Sequence, residues 1–181
     1  MCGRFAMPWD PDELAERLGL DTDEDARDVT PSYNIRPGAT IAVIRHAKDG
    51  ADMLSGARWS LIPAWSPTDR LAYPTFNARV ETAADRPAFR DAARSGRILV
   101  PMLGYYEWDI HRQPHWFHSR NDGILLAAGL LSIWRGMPTC TILTRQAEGR
   151  CARVHDRMPV LIPNAHTGAW LDPQTDAHGP A

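Results

Sequence analysis

Three side chains far apart in this sequence have the types needed for covalent and proton-transfer chemistry: Cys2, Glu107 and His155. If the initiator Met1 is removed, Cys2 carries two nucleophiles on adjacent carbons, a thiol and a free α-amine. The amine can condense with an aldehyde to an imine, and the neighbouring thiolate can then close a five-membered thiazolidine. An internal cysteine cannot do this, because its nitrogen is locked in an amide. Ordinary values of about 8.5 for a thiol and about 7.7–8.0 for an α-amine leave reactive fractions of both near neutral pH. Taken alone, a cysteine at position 2 is simply an early residue.

Glu107 sits in Gly104-Tyr105-Tyr106-Glu107-Trp108, a carboxylate among aromatics. Facing inward, it would lose solvation and its pKa would rise, which suits a general acid or base. Facing outward, it would be an ordinary strand glutamate, and pattern alone does not choose. His155, in Val154-His155-Asp156-Arg157, reads equally as a hydrogen-bonded turn residue or as an acid/base, since histidine titrates nearest neutrality. Asn77, Arg79 and Glu81 alternate along Phe76–Thr82 and share one face of an extended segment, facing solvent or lining a site. Trp59 to Pro67 carries Trp59 and Trp65 on a stretch stiffened by Pro63 and Pro67, either as packing under a stiff loop or as a stacking surface for a base. His111, His115 and His118 do not make a metal site, because no cysteine or carboxylate joins them and His115 and His118 fall on opposite strand faces.

Short elements must position these groups. Asp10 caps a helix that opens with Pro11, places Glu13 for a capping box and stops at Gly19. The acidic run Asp21 to Asp28 reads as a solvated loop, and Tyr33 to Gly38 as a turn. Strands are expected over Thr40–Ile44, Asp52–Leu61, Arg97–Pro101, His115–His118, Ile124–Trp134 (broken by Gly129) and Pro138–Thr144. A helix over Asp85–Arg94 is expected, with Asp85 as its cap, and a last one from Asn164 to Leu171.

Composition limits the classes. The chain has 181 residues, a formal net charge of −2 and 44% hydrophobic residues, which fits one globular domain. Residues 1–172 are read as that domain and 173–181 as a disordered tail. Fifteen prolines and seven tryptophans favour turns and short strands. Any nucleic-acid surface must be local rather than global. Cys2, Cys140 and Cys151 fit no disulfide or zinc pattern, and Cys140 reads as a packed hydrophobe. With neither a signal peptide nor a membrane-spanning run, the expected compartment is the reducing cytoplasm.

Taken in order, Cys-Gly-Arg-Phe at the start, Tyr-Asn-Ile-x-Pro-Gly, Trp-x-Leu-Ile-Pro-x-Trp, Asn-Ala-Arg-x-Glu-Thr, Tyr-Tyr-Glu-Trp and His-Asp-Arg-Met-Pro resemble the SOS-response-associated peptidase (SRAP) family from Cys2 to about Trp170. The resemblance implies an α+β fold, a curved antiparallel sheet closed into a pseudo-barrel with a few short helices. It implies self-removal of Met1 and covalent capture of abasic sites in single-stranded DNA by a monomer, with no metal or organic cofactor. By motif match, Cys2 is the nucleophile, Asn77 holds the captured sugar, and Glu107 and His155 are the acid/base pair. Arg4, Asn34, Pro37, Trp65, Arg79 and Thr144 would contact DNA. Two features depart from the family: Ser66 stands where a second loop aromatic is common, and many members continue with a further strand after the last helix. Two other readings share these residues: an N-terminal-nucleophile peptidase or amidase, and a non-covalent reader of single-stranded DNA.

Overall fold

The computed structural model describes residues 3–47, 50–121 and 123–174. Strand β1 (Phe5–Met7) leads into helix α1 (Pro11–Leu18). The Asp10 carboxylate caps this helix by accepting from the Glu13 N–H at 2.8 Å, and Gly19 ends it in the left-handed region at φ 67°. The Glu13 side chain does not complete a capping box; it pairs with Arg17 at 2.7 Å. The acidic run is structured rather than a loop. It forms β2 (Asp21–Thr22) and a 3-10 turn over Glu24–Asp28. Asp23 caps that turn through Ala26 N–H and also pairs with Arg45 at 2.7 Å, so one carboxylate serves the backbone and a cation together.

Next come β3 (Ser32–Ile35), β4 (Thr40–His46) and β5 (Asp52–Trp59). The extended segment after Phe76 is shorter than expected. β6 covers Asn77–Arg79 only, and Glu81 lies in the turn that follows. Helix α2 spans Arg90–Ser95 and begins well after Asp85, beyond Pro87, with Phe89 at its N-cap. Proline disfavours the helical conformation of the residue before it, which accounts for the delay.

The entirely buried β7 (Arg97–Met102) is followed by the hairpin β8 (Gly104–Trp108) and β9 (Pro114–His118), then by β10 (Leu125–Trp134) and β11 (Met137–Gln146). Gly129 does not break β10. It pairs with Ile98 on one side and Ile142 on the other. A Cβ there would lie 2.8 Å from the Thr141 carbonyl oxygen, so the position needs glycine for close packing. Strand β12 (Arg157–Pro159) and helix α3 (Thr167–Leu171) end the regular structure. Pro173 and Gln174, at the start of the expected tail, form a turn in which Gln174 N–H donates to Asp172 Oδ1 at 2.8 Å. Residues 175–181 lie outside the described residues.

Five strands close a barrel in the order β11-β10-β7-β4-β5, returning from β5 to β11. All its pairs are antiparallel except the closing one, where Arg58 and Trp59 run parallel beside Thr139 and Cys140. β12 and β6 extend β11, and β2 extends β5. A second sheet, β3-β1-β8-β9, packs its inner face toward the barrel. Phe5, Trp59, Ile98, Met102 and Ile142, none of them exposed, belong to one apolar cluster that joins the two sheets. Each such side chain stabilises the fold by about 1.5–3 kcal/mol on burial. Cys140 is fully buried there, and desolvation pushes its thiol well above its ordinary pKa, as expected of an inert packed cysteine. No helix among the described residues is long and apolar enough to cross a membrane.

Candidate active site

Strand alternation decides Glu107. Tyr105 and Glu107 face inward from β8, 2% and 3% exposed, while Trp108 faces out. Burial raises the Glu107 pKa above the ordinary carboxylate value, opposed in part by nearby His155 when its ring is protonated. This is the environment in which a carboxyl can hold a proton near neutral pH. Tyr105 shares this inward face, its ring stacked on Phe117 at 5.2 Å and its hydroxyl 3.2 Å from Cys151 Sγ.

The start of the chain runs alongside this strand. Phe5 pairs with Tyr105, Ala6 with Gly104, and the Tyr106 N–H donates to the Arg4 carbonyl at 2.9 Å. Continued two residues toward the start of the chain, the same register would bring Gly3 opposite Glu107. Cys2 itself lies outside the described residues. Phe5 meets Trp59 edge-on at 5.1 Å, and the Trp59 indole N–H donates to the Phe76 carbonyl at 2.8 Å. Trp59 therefore packs beneath the loop and ties the start of the chain to the residue preceding Asn77. Asn77 is half-buried on β6, beside Ile142 of β11.

Beyond β11, the 3-10 turn Cys151–Arg153 delivers His155, whose N–H donates to the Cys151 carbonyl at 3.0 Å. His155 Nδ1 accepts from the Arg157 N–H at 3.0 Å, and the mostly exposed Asp156 carboxylate lies 2.8 Å from the same nitrogen. Glu81 pairs with Arg157 and not with its strand neighbour Arg79. Both Arg157 Nη atoms donate to the Glu81 carboxylate at 2.8 Å, and Nη2 also donates to the Thr144 carbonyl at 2.6 Å. The Arg157 guanidinium holds Glu81 down at a pKa of about 2.

The expected DNA contacts divide by environment. Arg4 donates to Asn34 Oδ1 at 2.7 Å, and its guanidinium lies over the Trp108 ring at 5.8 Å. Asn34, Pro37 and Arg79 are exposed. Trp65 is 56% exposed. Its loop is pinned by Ile62 N–H to Thr139 Oγ1 at 2.9 Å and by the Trp134 indole N–H to the Ser66 carbonyl at 2.8 Å. Ser66 is buried and donates to the Thr68 carbonyl, so this position anchors the loop where an aromatic was the family habit. Thr144 differs from the others: it is 2% exposed and its hydroxyl donates to the Ala78 carbonyl. It is placed to hold β6 against β11 rather than to meet a ligand with its side chain.

Arg157, Tyr105 and Trp108 are not singled out as site residues by the sequence, and Glu81 is read there only as facing solvent or lining a site. The His-Asp-Arg and Asn-Ala-Arg-x-Glu motifs contain two of them, but only the tertiary fold brings Glu81 to Arg157. Among the described residues no cluster of His, Cys, Asp and Glu could hold a metal ion. His115 instead pairs with Asp109 at 3.0 Å, and His118 stacks on Trp116.

Residues 1–180 match the profile of the family described as SOS response associated peptidase (SRAP). The Bacillus subtilis protein named abasic site processing protein YoaM is 33% identical over 184 residues, covering 96% of this chain and 80% of its own. The Escherichia coli abasic site processing protein YedK is 29% identical, covering 94% and 79% respectively. Among solved structures, a phage-related protein from Bordetella bronchiseptica superposes with a TM-score of 0.75 at 32% identity, covering 97% of this chain and 84% of that one. A Bacteroides thetaiotaomicron protein shares the fold at a TM-score of 0.85 and 22% identity, covering 97% and 83%.

Proposed function

The chain belongs to the SOS response associated peptidase family, and from that premise we propose that it captures abasic sites in single-stranded DNA covalently through Cys2. The observation that carries this reading is the buried Glu107 on β8, the strand that pairs with β1 near the start of the chain. The names of the relatives, abasic site processing proteins, point the same way. In this reading the protein removes its own Met1, acts as a monomer in the cytoplasm and shields the lesion during the damage response.

An abasic deoxyribose equilibrates between a ring-closed hemiacetal and an open aldehyde, and only the aldehyde reacts. Opening requires a proton at the ring oxygen and loss of one from the anomeric hydroxyl, and His155 and Glu107 serve these transfers. The Cys2 amine adds to the carbonyl. Water leaves the carbinolamine to give an imine, and the Cys2 thiolate adds to the imine carbon as nitrogen takes up a proton. The resulting thiazolidine lacks the β-elimination route of an imine, so the DNA strand stays intact. Asn77 holds the sugar, and Arg4, Asn34, Pro37, Trp65 and Arg79 line the path of the strand.

The test is incubation with an abasic single-stranded oligonucleotide followed by denaturing electrophoresis, with the intact mass of the protein measured alongside. The expected result is a heat-stable adduct and a protein lacking Met1. Cys2→Ala should give only an imine, trapped by borohydride and prone to strand cleavage. A heat-stable adduct from Cys2→Ala without reductant, or from protein retaining Met1, sinks the thiazolidine assignment. Cleavage of peptides without any adduct would instead support the peptidase reading. Salt-sensitive binding that survives Cys2→Ala, again without an adduct, would support the non-covalent reader.

A further inference from the structure

His155 Nδ1 has two neighbours that want opposite things from it. The Arg157 backbone N–H, at 3.0 Å, is a donor and requires a lone pair on that nitrogen. The Asp156 carboxylate, at 2.8 Å, is an acceptor and requires a proton there. In a neutral imidazole one nitrogen carries the proton, so the winner at Nδ1 also fixes whether Nε2 is a donor or an acceptor. The Asp156 side chain is 79% exposed and competes from water. The Arg157 amide competes from a fixed position, because its own side chain is gripped from two directions. Both oxygens of Glu81 accept from the guanidinium at 2.8 Å, and the Thr144 carbonyl accepts a third bond at 2.6 Å. The Arg157 side chain is 11% exposed, while β12 holds its backbone against Gln146. Bidentate Arg–carboxylate pairs are the strong, directional class of ion pair.

We propose that Glu81 is a positioning residue for His155: by gripping Arg157 it keeps the Arg157 N–H on Nδ1 and so fixes the neutral ring with its proton on Nε2. This rests on the abasic-site reading above, in which His155 serves the sugar ring oxygen. Nε2–H then hydrogen-bonds that oxygen as the C1′–O4′ bond breaks, while the Glu107 carboxyl gives O4′ its proton and takes up the one leaving the anomeric hydroxyl. With the grip released, Asp156 draws the proton to Nδ1, and Nε2 meets the ring oxygen lone pair to lone pair.

The experiment has two arms on the full-length protein. The first is ¹⁵N NMR of histidine-labelled protein without DNA, with His155 assigned by its loss in His155→Gln. Wild type should show an unprotonated Nδ1, Glu81→Gln should shift the neutral ring toward Nδ1–H, and Glu81→Asp, which keeps a carboxylate, should shift it less. The second arm is the single-turnover rate of adduct formation with an abasic oligonucleotide. Glu81→Gln should slow it by about tenfold or more, short of the 10²–10⁴-fold typical of removing an acid–base group. Adding Asp156→Asn to Glu81→Gln removes the competitor and should restore both tautomer and rate, which a general structural weakening would not allow. A wild-type ring with its proton on Nδ1, or a rate loss in Glu81→Gln with no tautomer change, overturns the proposal. A wild type that forms no adduct refutes the functional reading and Glu81's part in it, whereas the tautomer arm still decides the grip on its own.

Discussion

Replacing Glu107 by glutamine should make the protein more stable and less active at the same time. The carboxyl is 3% exposed, and burial, the largest influence on it, raises its pKa. An unfolded glutamate titrates near about 4.3, so between that value and the folded one the native state binds more protons than the unfolded chain. Stability from this group is therefore intact below the unfolded pKa and is lost as pH rises through the window up to the folded pKa. Each unit of upward shift corresponds to about 1.4 kcal/mol of deficit at pH 7. Glutamine has the same shape and never ionises. Glu107→Gln should accordingly be more stable than wild type at pH 7, with the gain vanishing near pH 4. Adduct formation should fall by about 10²–10⁴-fold in the same variant. Urea melts at the two pH values and a single-turnover time course measure both effects. A variant less stable than wild type at pH 7 would mean that Glu107 is an ionised, paired carboxylate, and the acid/base argument built on its burial would fail.

Gly104→Ala should destabilise the protein by about 1–3 kcal/mol in urea, because its Cβ would lie 2.4 Å from the Phe117 carbonyl oxygen and 2.6 Å from the Trp116 ring. Unchanged stability would show that the hairpin yields freely. Arg79→Ala should lower the slope of log affinity against log salt by about 0.7 for single-stranded DNA. Glu81 is engaged by Arg157, so an unchanged slope would mean that exposed Arg79 meets no phosphate. The Glu81 pKa is depressed from 4.5 to about 2, so its stabilising contribution is present above the first value and is lost as pH falls toward the second. Glu81→Gln should flatten the acid limb of a pH–stability curve across that window, though modestly, since the side chain is half exposed. An unaltered acid limb would show the ion pair to be energetically idle.

Local signals in the sequence read out local structure well. Asp10, Pro11 and Gly19 delimit α1, and the alternation through Tyr105, Tyr106 and Glu107 left two faces of which burial chose one. The misreadings share a cause. Asp21 to Asp28 looks like solvent-facing charge until Arg45, from a strand farther along the chain, arrives to pair with Asp23. Gly129 looks like a break until Ile98 and Thr141 crowd it from either side. Each depends on partners that only the folded chain supplies. The site divides similarly. Motifs pick out Asn77, Glu107 and His155, but the grip of Glu81 on Arg157 spans more than seventy residues and leaves no periodic trace.

The parallel seam that closes the barrel governs when the protein can finish folding. Arg58 and Trp59 wait for Thr139 and Cys140, about eighty residues later in synthesis, and β6 waits for the same strand. Contacts this distant must overcome loop-closure entropy before they contribute, so folding is expected to be slow relative to chains with local pairings. On the ribosome, β4 and β5 emerge as a hairpin whose outer edge meets β2 at Met53 and Leu54 but lacks a partner along Arg58 and Trp59 until β11 appears. Unpaired edges of this kind are where nascent chains aggregate. The first residues to be translated are thus among the last to acquire their surroundings: Arg4 and Phe5 meet β8 midway, but Asn77 and His155 reach their places only after β11 and β12 have left the exit tunnel.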